Sequence, residues 1–85
     1  MIVDVKLFAS LREYLPADAQ DFTAKAPAAA GAKVKTLLDW LKLPVELPKV
    51  ILINGRHANE TDEVQEGDVV SVFPPISGGS RRLSA

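Results

Sequence analysis

The chain has 85 residues and a formal net charge of −1, with 47% hydrophobic and 25% charged residues. This length suits one compact domain, and the composition excludes an intrinsically disordered chain and a basic nucleic-acid-binding domain. The absence of cysteine excludes disulfide frameworks, thiolate catalysis, zinc ribbons and iron–sulfur ligation.

The first segment of the chain alternates between two kinds of residue. Val3, Val5, Leu7 and Ala9 are all apolar, whereas the residues between them include an aspartate and a lysine. Successive side chains of a strand point to opposite faces of the sheet. The pattern therefore predicts a half-buried strand with these four residues facing the core.

Two weaker elements follow this strand. Residues 10–15 have apolar positions at 11, 14 and 15, the spacing of a single helical turn, which Pro16 would end because proline cannot continue a helix. Residues 21–26 are predicted to form a second strand, with Phe22 and Ala24 on one face.

The clearest helix lies in the middle of the chain. Val34, Leu37, Leu38 and Leu41 have the i, i+3, i+4, i+7 spacing of an apolar stripe on one helical face. Pro44 is predicted to end the helix, since the residue before a proline avoids helical backbone angles. Such a stripe must be buried against a sheet.

A hairpin and a last strand complete the predicted elements. Residues 50–53 form a β-branched run before Asn54-Gly55, a strong hairpin signal, and 56–58 would be the short returning strand. Residues 69–73 form the last strand. One helix on a mixed sheet of four or five strands is an α+β roll. We expect a right-handed crossover from the second strand through the helix to the third.

No arrangement of residues in the sequence predicts an active site. His57 is the only histidine and lies close to Glu60, but a position beside a turn favours an exposed side chain over a metal ligand. An acidic group could in principle hold a hard cation, although acids at turns are common; it comprises Asp62, Glu63, Glu66 and Asp68. The sequence has no phosphate-binding glycine loop and no serine nucleophile motif. We therefore expect no metal site and no catalytic residue.

Two further classes of function are disfavoured by the sequence. The lysines lack the interleaved aromatic residues that would stack nucleic-acid bases. No segment resembles a targeting signal, and the longest aliphatic run falls far short of the ~20 residues that cross a bilayer. We expect a cytoplasmic protein that binds neither nucleic acid nor membrane.

The last part of the sequence is the feature that points to a function. Gly78 and Gly79 follow Pro74-Pro75, so they are predicted to project from a strand end stiffened by prolines. A tail that threads a narrow channel needs residues without side chains, because glycine obstructs the backbone least. The reactive group of such a tail would be its terminal carboxylate.

Four segments of the chain carry a resemblance to a known family. They are VKLFASLRE (5–13), VKTLLDWL (34–41), ILING (51–55) and EGDVVSVFPPISGG (66–79). In this order they resemble the MoaD/ThiS family of sulfur-carrier proteins, and the molybdopterin-synthase small-subunit branch most of all. The resemblance implies a ubiquitin-like β-grasp domain over 1–79 with a Gly-Gly tail over 74–79, and it agrees with the α+β roll predicted from the pattern.

The resemblance implies a sulfur carrier or synthase subunit and not an enzyme. An ATP-dependent adenylating enzyme of the ubiquitin-activating type would adenylate the carboxylate of Gly79, and sulfur would then replace AMP to leave a thiocarboxylate. The large subunit of molybdopterin synthase, or another sulfur-accepting enzyme, would take this sulfur. Gly78 would let the tail thread, and its direction and partner contacts would come from Pro74, Pro75, Ile76 and Ser77. The chain itself would bind no cofactor, because ATP is used by the activating partner.

The sequence departs from the family pattern after the two glycines, which are normally the end of the chain. Here residues 80–85 follow Gly79, and a carboxylate blocked by a peptide bond cannot be adenylated. Either a protease removes 80–85, or these residues are not native, or this member carries no sulfur. Removal would also lower the net charge by two units through loss of Arg81 and Arg82, and an acidic body would be steered towards basic partner surfaces.

The resemblance leaves other functions open. The same glycine chemistry would serve a sulfur carrier for thiamine, cysteine or tRNA thiolation. It would also serve a ubiquitin-like modifier that is conjugated through Gly79 to lysines of other proteins. A β-grasp interaction module with an idle tail is a further alternative.

Overall fold

A mixed sheet is the framework of the structure, a computed structural model that describes residues 1–44 and 46–75. The described ranges contain five strands: β1 (Ile2–Leu7), β2 (Thr23–Pro27), β3 (Val50–Ile53), β4 (Arg56–Ala58) and β5 (Val69–Phe73). Their order in the sheet is β2-β1-β5-β3-β4. The central neighbours β1 and β5 are parallel, and the other neighbouring pairs are antiparallel. The predicted α+β roll is confirmed.

The core lies between this sheet and one α-helix, α1 (Val34–Trp40). The alternation in β1 and the apolar stripe of α1 are both confirmed, because every residue of the stripe and three of the four inward residues of β1 are buried. The buried residues contributed by β1, β5, α1 and the residue after the helix are Val3, Val5, Leu7, Val70, Val72, Val34, Leu37, Leu38 and Leu41. The connection from β2 through α1 to β3 spans the two central strands, which lie between β2 and β3 in the sheet.

The amino-terminal turn of α1 is completed by a distant loop. The residue before the helix is Lys33, whose side chain makes no capping hydrogen bond. The backbone N–H groups of Val34 and Lys35 instead donate to the carbonyl oxygens of Asp62 and Glu60, each at 2.9 Å. These bonds satisfy donors that a helix leaves open at its start, and they fix the loop after β4 against the helix.

The helix ends earlier than predicted and for a different reason. Lys42 has a positive φ of 66°, and its N–H donates to the Asp39 carbonyl at 2.9 Å. The N–H of Leu43 donates to the Leu38 carbonyl at 3.0 Å, and both leucines are buried. This pair of bonds with an apolar contact is the Schellman motif. It ends α1 before Pro44 is reached, so the predicted role of Pro44 is wrong.

The second strand is shifted relative to the prediction over 21–26. Asp21 and Phe22 have φ values of 54° and 58°, and the N–H of Thr23 donates to the Gln20 carbonyl at 2.9 Å. These left-handed residues form a tight turn, so β2 begins only at Thr23. Phe22 therefore does not share a strand face with Ala24; its side chain is 46% exposed, whereas Ala24 is buried.

A 3₁₀ helix over Ala9–Tyr14 follows β1. The predicted helical turn is confirmed, and it begins earlier than expected. Ala9 has a φ of 53° and is exposed, so its predicted place on the inward face of β1 is wrong. Leu11 is the residue that the turn buries.

The hairpin and the last strand are confirmed. Asn54 and Gly55 have φ values of 52° and 86°, as a type I′ turn requires, and β3 pairs with β4 across them. β5 ends at Phe73, before Pro74-Pro75. Within the described residues, neither helix has the length and apolarity needed to cross a membrane.

Candidate functional site

The central position of β5 determines where the carboxyl-terminal tail leaves the fold. β5 lies between β1 and β3, and it is followed directly by the tail root, which we define as Phe73, Pro74 and Pro75. The sheet pairing continues to this point, because the N–H of Phe8 donates to the Val72 carbonyl at 3.2 Å. The prolines cannot donate to a sheet, so the pairing stops there. The tail therefore starts from a strand that is held on both sides.

All three phenylalanines of the chain meet at this end of the sheet. The ring of Phe8 stacks on that of Phe73, with centroids 4.4 Å apart and an interplanar angle of 11°. Phe8 also contacts Phe22 at a centroid distance of 6.4 Å. The guanidinium carbon of Arg12 lies 5.0 Å from the centroid of the Phe22 ring. We refer to Phe8, Phe22, Phe73 and Arg12 as the aromatic cluster.

The aromatic cluster presents partly exposed apolar surface beside the tail root. Phe8 and Phe73 are half-buried, and Phe22 and Arg12 are exposed. Ring stacking and the cation–π contact stabilise the cluster itself, and the Arg12 Nε donates to the Ala9 carbonyl at 3.2 Å. Aromatic and arginine side chains of this kind are enriched where proteins bind partners.

Sequence reasoning did not find the aromatic cluster. Its three rings are far apart in the chain, and they meet because β1 and β5 are parallel neighbours with Leu7 opposite Val72. The only available signal was that Phe8 and Phe73 each stand at the end of a predicted strand. That signal needs the strand order before it can be interpreted.

A partly buried ion pair fixes the neighbouring start of β3. The Lys49 Nζ lies 2.8 Å from a carboxylate oxygen of Glu60, and only 6% of the Lys49 side chain is exposed. The same ammonium donates to the Leu47 carbonyl at 2.7 Å. Because Val50 is paired with Phe73, this ion pair holds the chain next to the tail root.

The residues predicted to carry the function lie at the boundary of the described structure. Pro74 is half-buried and Pro75 is exposed, as expected for the point where a tail leaves the domain. The other predicted tail residues, Ile76, Ser77, Gly78 and Gly79, lie outside the described residues.

Two of the four acidic residues singled out in the sequence, Asp62 and Asp68, have structural roles in turns. An Asp62 carboxylate oxygen accepts the N–H of Asn59 at 2.8 Å, and one of Asp68 accepts the N–H of Gln65 at 2.8 Å. His57 is exposed on β4. Among residues 1–44 and 46–75, no group of three or more acidic, histidine or cysteine side chains is placed to hold a metal ion.

Comparison with known proteins gives a consistent result. The model of the ThiS family matches residues 5–79. The chain is similar to SAMP1 from Haloferax volcanii, with 28% identity and a TM-score of 0.73 over 93% of this chain and 100% of that chain.

Two structures of molybdopterin-converting factor are also similar to the chain. A protein described as its subunit 1 from Pyrococcus furiosus has 28% identity and a TM-score of 0.69, over 88% of this chain and 98% of that chain. A complex of subunits 1 and 2 from Helicobacter pylori has 25% identity and a TM-score of 0.58, over 93% of this chain and 100% of that chain.

Proposed function

Because the chain belongs to the ThiS family, as a ThiS/MoaD-type sulfur carrier or a ubiquitin-like modifier, we propose that it is the sulfur-carrying small subunit of a molybdopterin synthase. The observation that carries this proposal is the extent of the family match, which ends at Gly79. Two similar structures are of molybdopterin-converting factor, which favours this branch over other sulfur carriers.

The proposed chemistry takes place at the carboxylate of Gly79 once residues 80–85 have been removed by a protease. A carboxylate oxygen attacks the α-phosphorus of ATP on an adenylating partner enzyme, and pyrophosphate leaves. Hydrosulfide then attacks the acyl carbon, and AMP leaves to give the thiocarboxylate. The chain acts in these steps as a co-substrate, in keeping with the generally non-catalytic small carriers of its family.

The described residues support this role by holding the base of the tail. β5 is hydrogen-bonded on both sides, by β1 and β3, so the tail root has a fixed position relative to the domain. Pro74 and Pro75 restrict the backbone directly after it. A fixed origin reduces the entropy lost when a partner captures the glycines beyond it.

We assign contact with the large subunit to the aromatic cluster. In the H. pylori structure, subunit 1 is in complex with subunit 2, and a corresponding partner here would have to meet the domain where the tail leaves it. The half-buried Phe8 and Phe73 and the exposed Phe22 surround that point. Partly exposed aromatic rings beside the reactive tail suit a surface that is covered when the tail is inserted.

The proposal is tested by intact mass spectrometry of the protein isolated from its own host. A chain that ends at Gly79, with one terminal oxygen replaced by sulfur, is the expected result. A chain that retains residues 80–85 in every molecule would contradict the proposal. A reconstitution with the host's adenylating enzyme and ATP sharpens the test, because the 1–79 chain should accept sulfur whereas the matched 1–78 and 1–85 chains should not.

A ubiquitin-like modifier is the second candidate, favoured by the similarity to SAMP1. In that case Gly79 forms isopeptide bonds with lysines of other proteins. Affinity capture of the tagged 1–79 chain from its host should then yield a ladder of covalent adducts that the 1–78 chain lacks. Detection of the thiocarboxylate without adducts would favour a sulfur carrier over a modifier. Transfer of that sulfur to thiamine, cysteine or tRNA precursors would assign the chain to a sulfur pathway other than molybdopterin synthesis.

A further inference from the structure

The Asn54-Gly55 dipeptide in the hairpin turn has a chemical reactivity that the sulfur-carrier proposal does not use. The backbone nitrogen of a glycine has no neighbouring side chain to shield it, so it can attack the side-chain amide of a preceding asparagine. Asn54 and Gly55 are both exposed to water. The chain has one other asparagine, Asn59, which is followed by the bulkier Glu60.

The structure holds the Asn54 side chain by both of its polar atoms. Its Oδ1 accepts the N–H of Val69 at 3.0 Å, and its Nδ2 donates to the Asp68 Oδ1 at 3.0 Å. The backbone N–H of Asn54 also donates to the Val69 carbonyl at 2.8 Å. We refer to these three hydrogen bonds as the Asn54 clamp.

The acceptor of the clamp is itself held in place. The Asp68 Oδ2 accepts the N–H of Gln65 at 2.8 Å, and the Asp68 N–H donates to the Gln65 carbonyl at 3.0 Å. Asp68 therefore cannot follow Asn54 if the turn moves. A reorientation of the Asn54 side-chain amide must therefore break its hydrogen bonds to Asp68 and Val69.

We propose that Asn54-Gly55 is a deamidation site that the fold keeps closed, and that the Asn54 clamp is what closes it. On release, the Gly55 nitrogen loses its proton to solvent and bonds to the Asn54 Cγ. The bond from Cγ to the side-chain nitrogen breaks, and ammonia leaves. Water then opens the cyclic imide at either carbonyl to give aspartate or isoaspartate. The inference is independent of the proposed sulfur chemistry.

Deamidation would prevent the clamp from closing again. An aspartate at position 54 places a second carboxylate against Asp68 in place of a donor, and like charges at hydrogen-bond distance repel. Isoaspartate adds a backbone atom to a two-residue turn, which alters the pairing of β3 with β4. The modification therefore converts a transient opening of this end of the sheet into a permanent one.

The first test compares the two asparagines within one protein. The full chain is incubated in mildly alkaline buffer with and without urea, and the conversion of each asparagine is followed by peptide mass mapping. In urea, Asn54 should deamidate much faster than Asn59, and in native buffer this difference should be largely lost. An Asn54 that reacts equally fast with and without urea would overturn the proposal.

The second test removes the acceptor of the clamp. The substitution Asp68→Asn keeps an oxygen for the Gln65 N–H but loses the acceptor for the Asn54 amide, so native deamidation of Asn54 should be about tenfold faster, as expected for the loss of one charge-assisted hydrogen bond. Asp62→Asn is the matched control, because Asp62 holds a turn in the same way without contacting Asn54. An unchanged rate in a folded Asp68→Asn protein, verified by circular dichroism, would contradict the proposed role of the clamp.

Discussion

The two ends of the central β1–β5 pair are stabilised in different ways. At the end where β5 finishes, Phe8, Phe22 and Phe73 contact one another and leave apolar surface accessible to a partner. At the end where β5 begins, Asn54 and Asp68 form hydrogen bonds at the surface, to each other and to neighbouring backbone. We call them the aromatic end and the turn end.

Under the proposed function, the difference assigns partner binding to one end of the sheet and stabilisation of a turn to the other. Aromatic contacts tolerate partial exposure, because rings keep their stacking energy while a partner covers the rest of their surface. At the turn end, the polar side chains are hydrogen-bonded to each other and to neighbouring backbone, so they stabilise the turn directly. Stability and partner binding should therefore respond to mutation at opposite ends.

The largest expected effect comes from the core that both ends share. Leu38→Ala should lower the free energy of unfolding by about 2–5 kcal/mol, because Leu38 is 3% exposed and also forms the apolar contact of the Schellman motif. Urea unfolding followed by circular dichroism measures this loss. Thr36→Ala, on the exposed face of the same helix, is the control and should stay within ~0.5 kcal/mol of the wild type.

The next effect should be confined to the turn end. Asn54→Ala removes both side-chain bonds of the clamp and places alanine, which tolerates the left-handed region less well than asparagine, at a φ of 52°, so we expect a loss of about 1–3 kcal/mol. Asn54→Gly separates the two causes, because it loses the bonds without the backbone strain. Partner binding should not change in either variant. Weaker binding by a folded Asn54→Gly protein would show that the two ends are not independent.

The reverse pattern is expected at the aromatic end. Phe22→Ala should cost about 1 kcal/mol of stability, since the ring is 46% exposed and contributes one aromatic contact and one cation–π contact with Arg12. Affinity for the large-subunit partner should fall by roughly tenfold or more if this ring is an anchor of the interface. Calorimetric titration of the partner measures the affinity. A large loss of stability with unchanged affinity would reverse the assignment of the two ends.

Much of the fold could be predicted from the sequence, because its signals are local. The alternation in β1, the stripe of α1 and the Asn54-Gly55 turn each lie within a few residues and were confirmed. The predictions were wrong where the backbone adopts a conformation that the pattern of apolar and polar side chains does not indicate. The sequence pattern predicts Phe22 in a strand, yet two successive left-handed residues place it in a turn, and nothing in the residue type indicates this.

The candidate site could be predicted only where its residues follow one another in the sequence. The sequence predicts the glycines and prolines of the tail from their order alone, and β5 ends directly before Pro74 and Pro75 as expected. The aromatic cluster and the Lys49–Glu60 pair depend on strands meeting in a particular order. A single sequence does not contain that order, since the same elements could pair differently.

The smallest predicted effect comes from a substitution at the carboxyl end of α1. It serves as a reference for the substitutions at the aromatic end and the turn end. Lys42→Gly should raise the free energy of unfolding by about 0.5–1 kcal/mol, because glycine adopts the φ of 66° found there without the steric cost that a β-carbon brings. Lys42→Ala removes the same charge and keeps the β-carbon, so the difference between the two variants isolates the backbone term. Urea unfolding should show glycine as the more stable of the two. Lys42 contacts neither end of the sheet. Any change in partner affinity, or in the rate of Asn54 deamidation under native conditions, should therefore be no larger than the change in the free energy of unfolding accounts for.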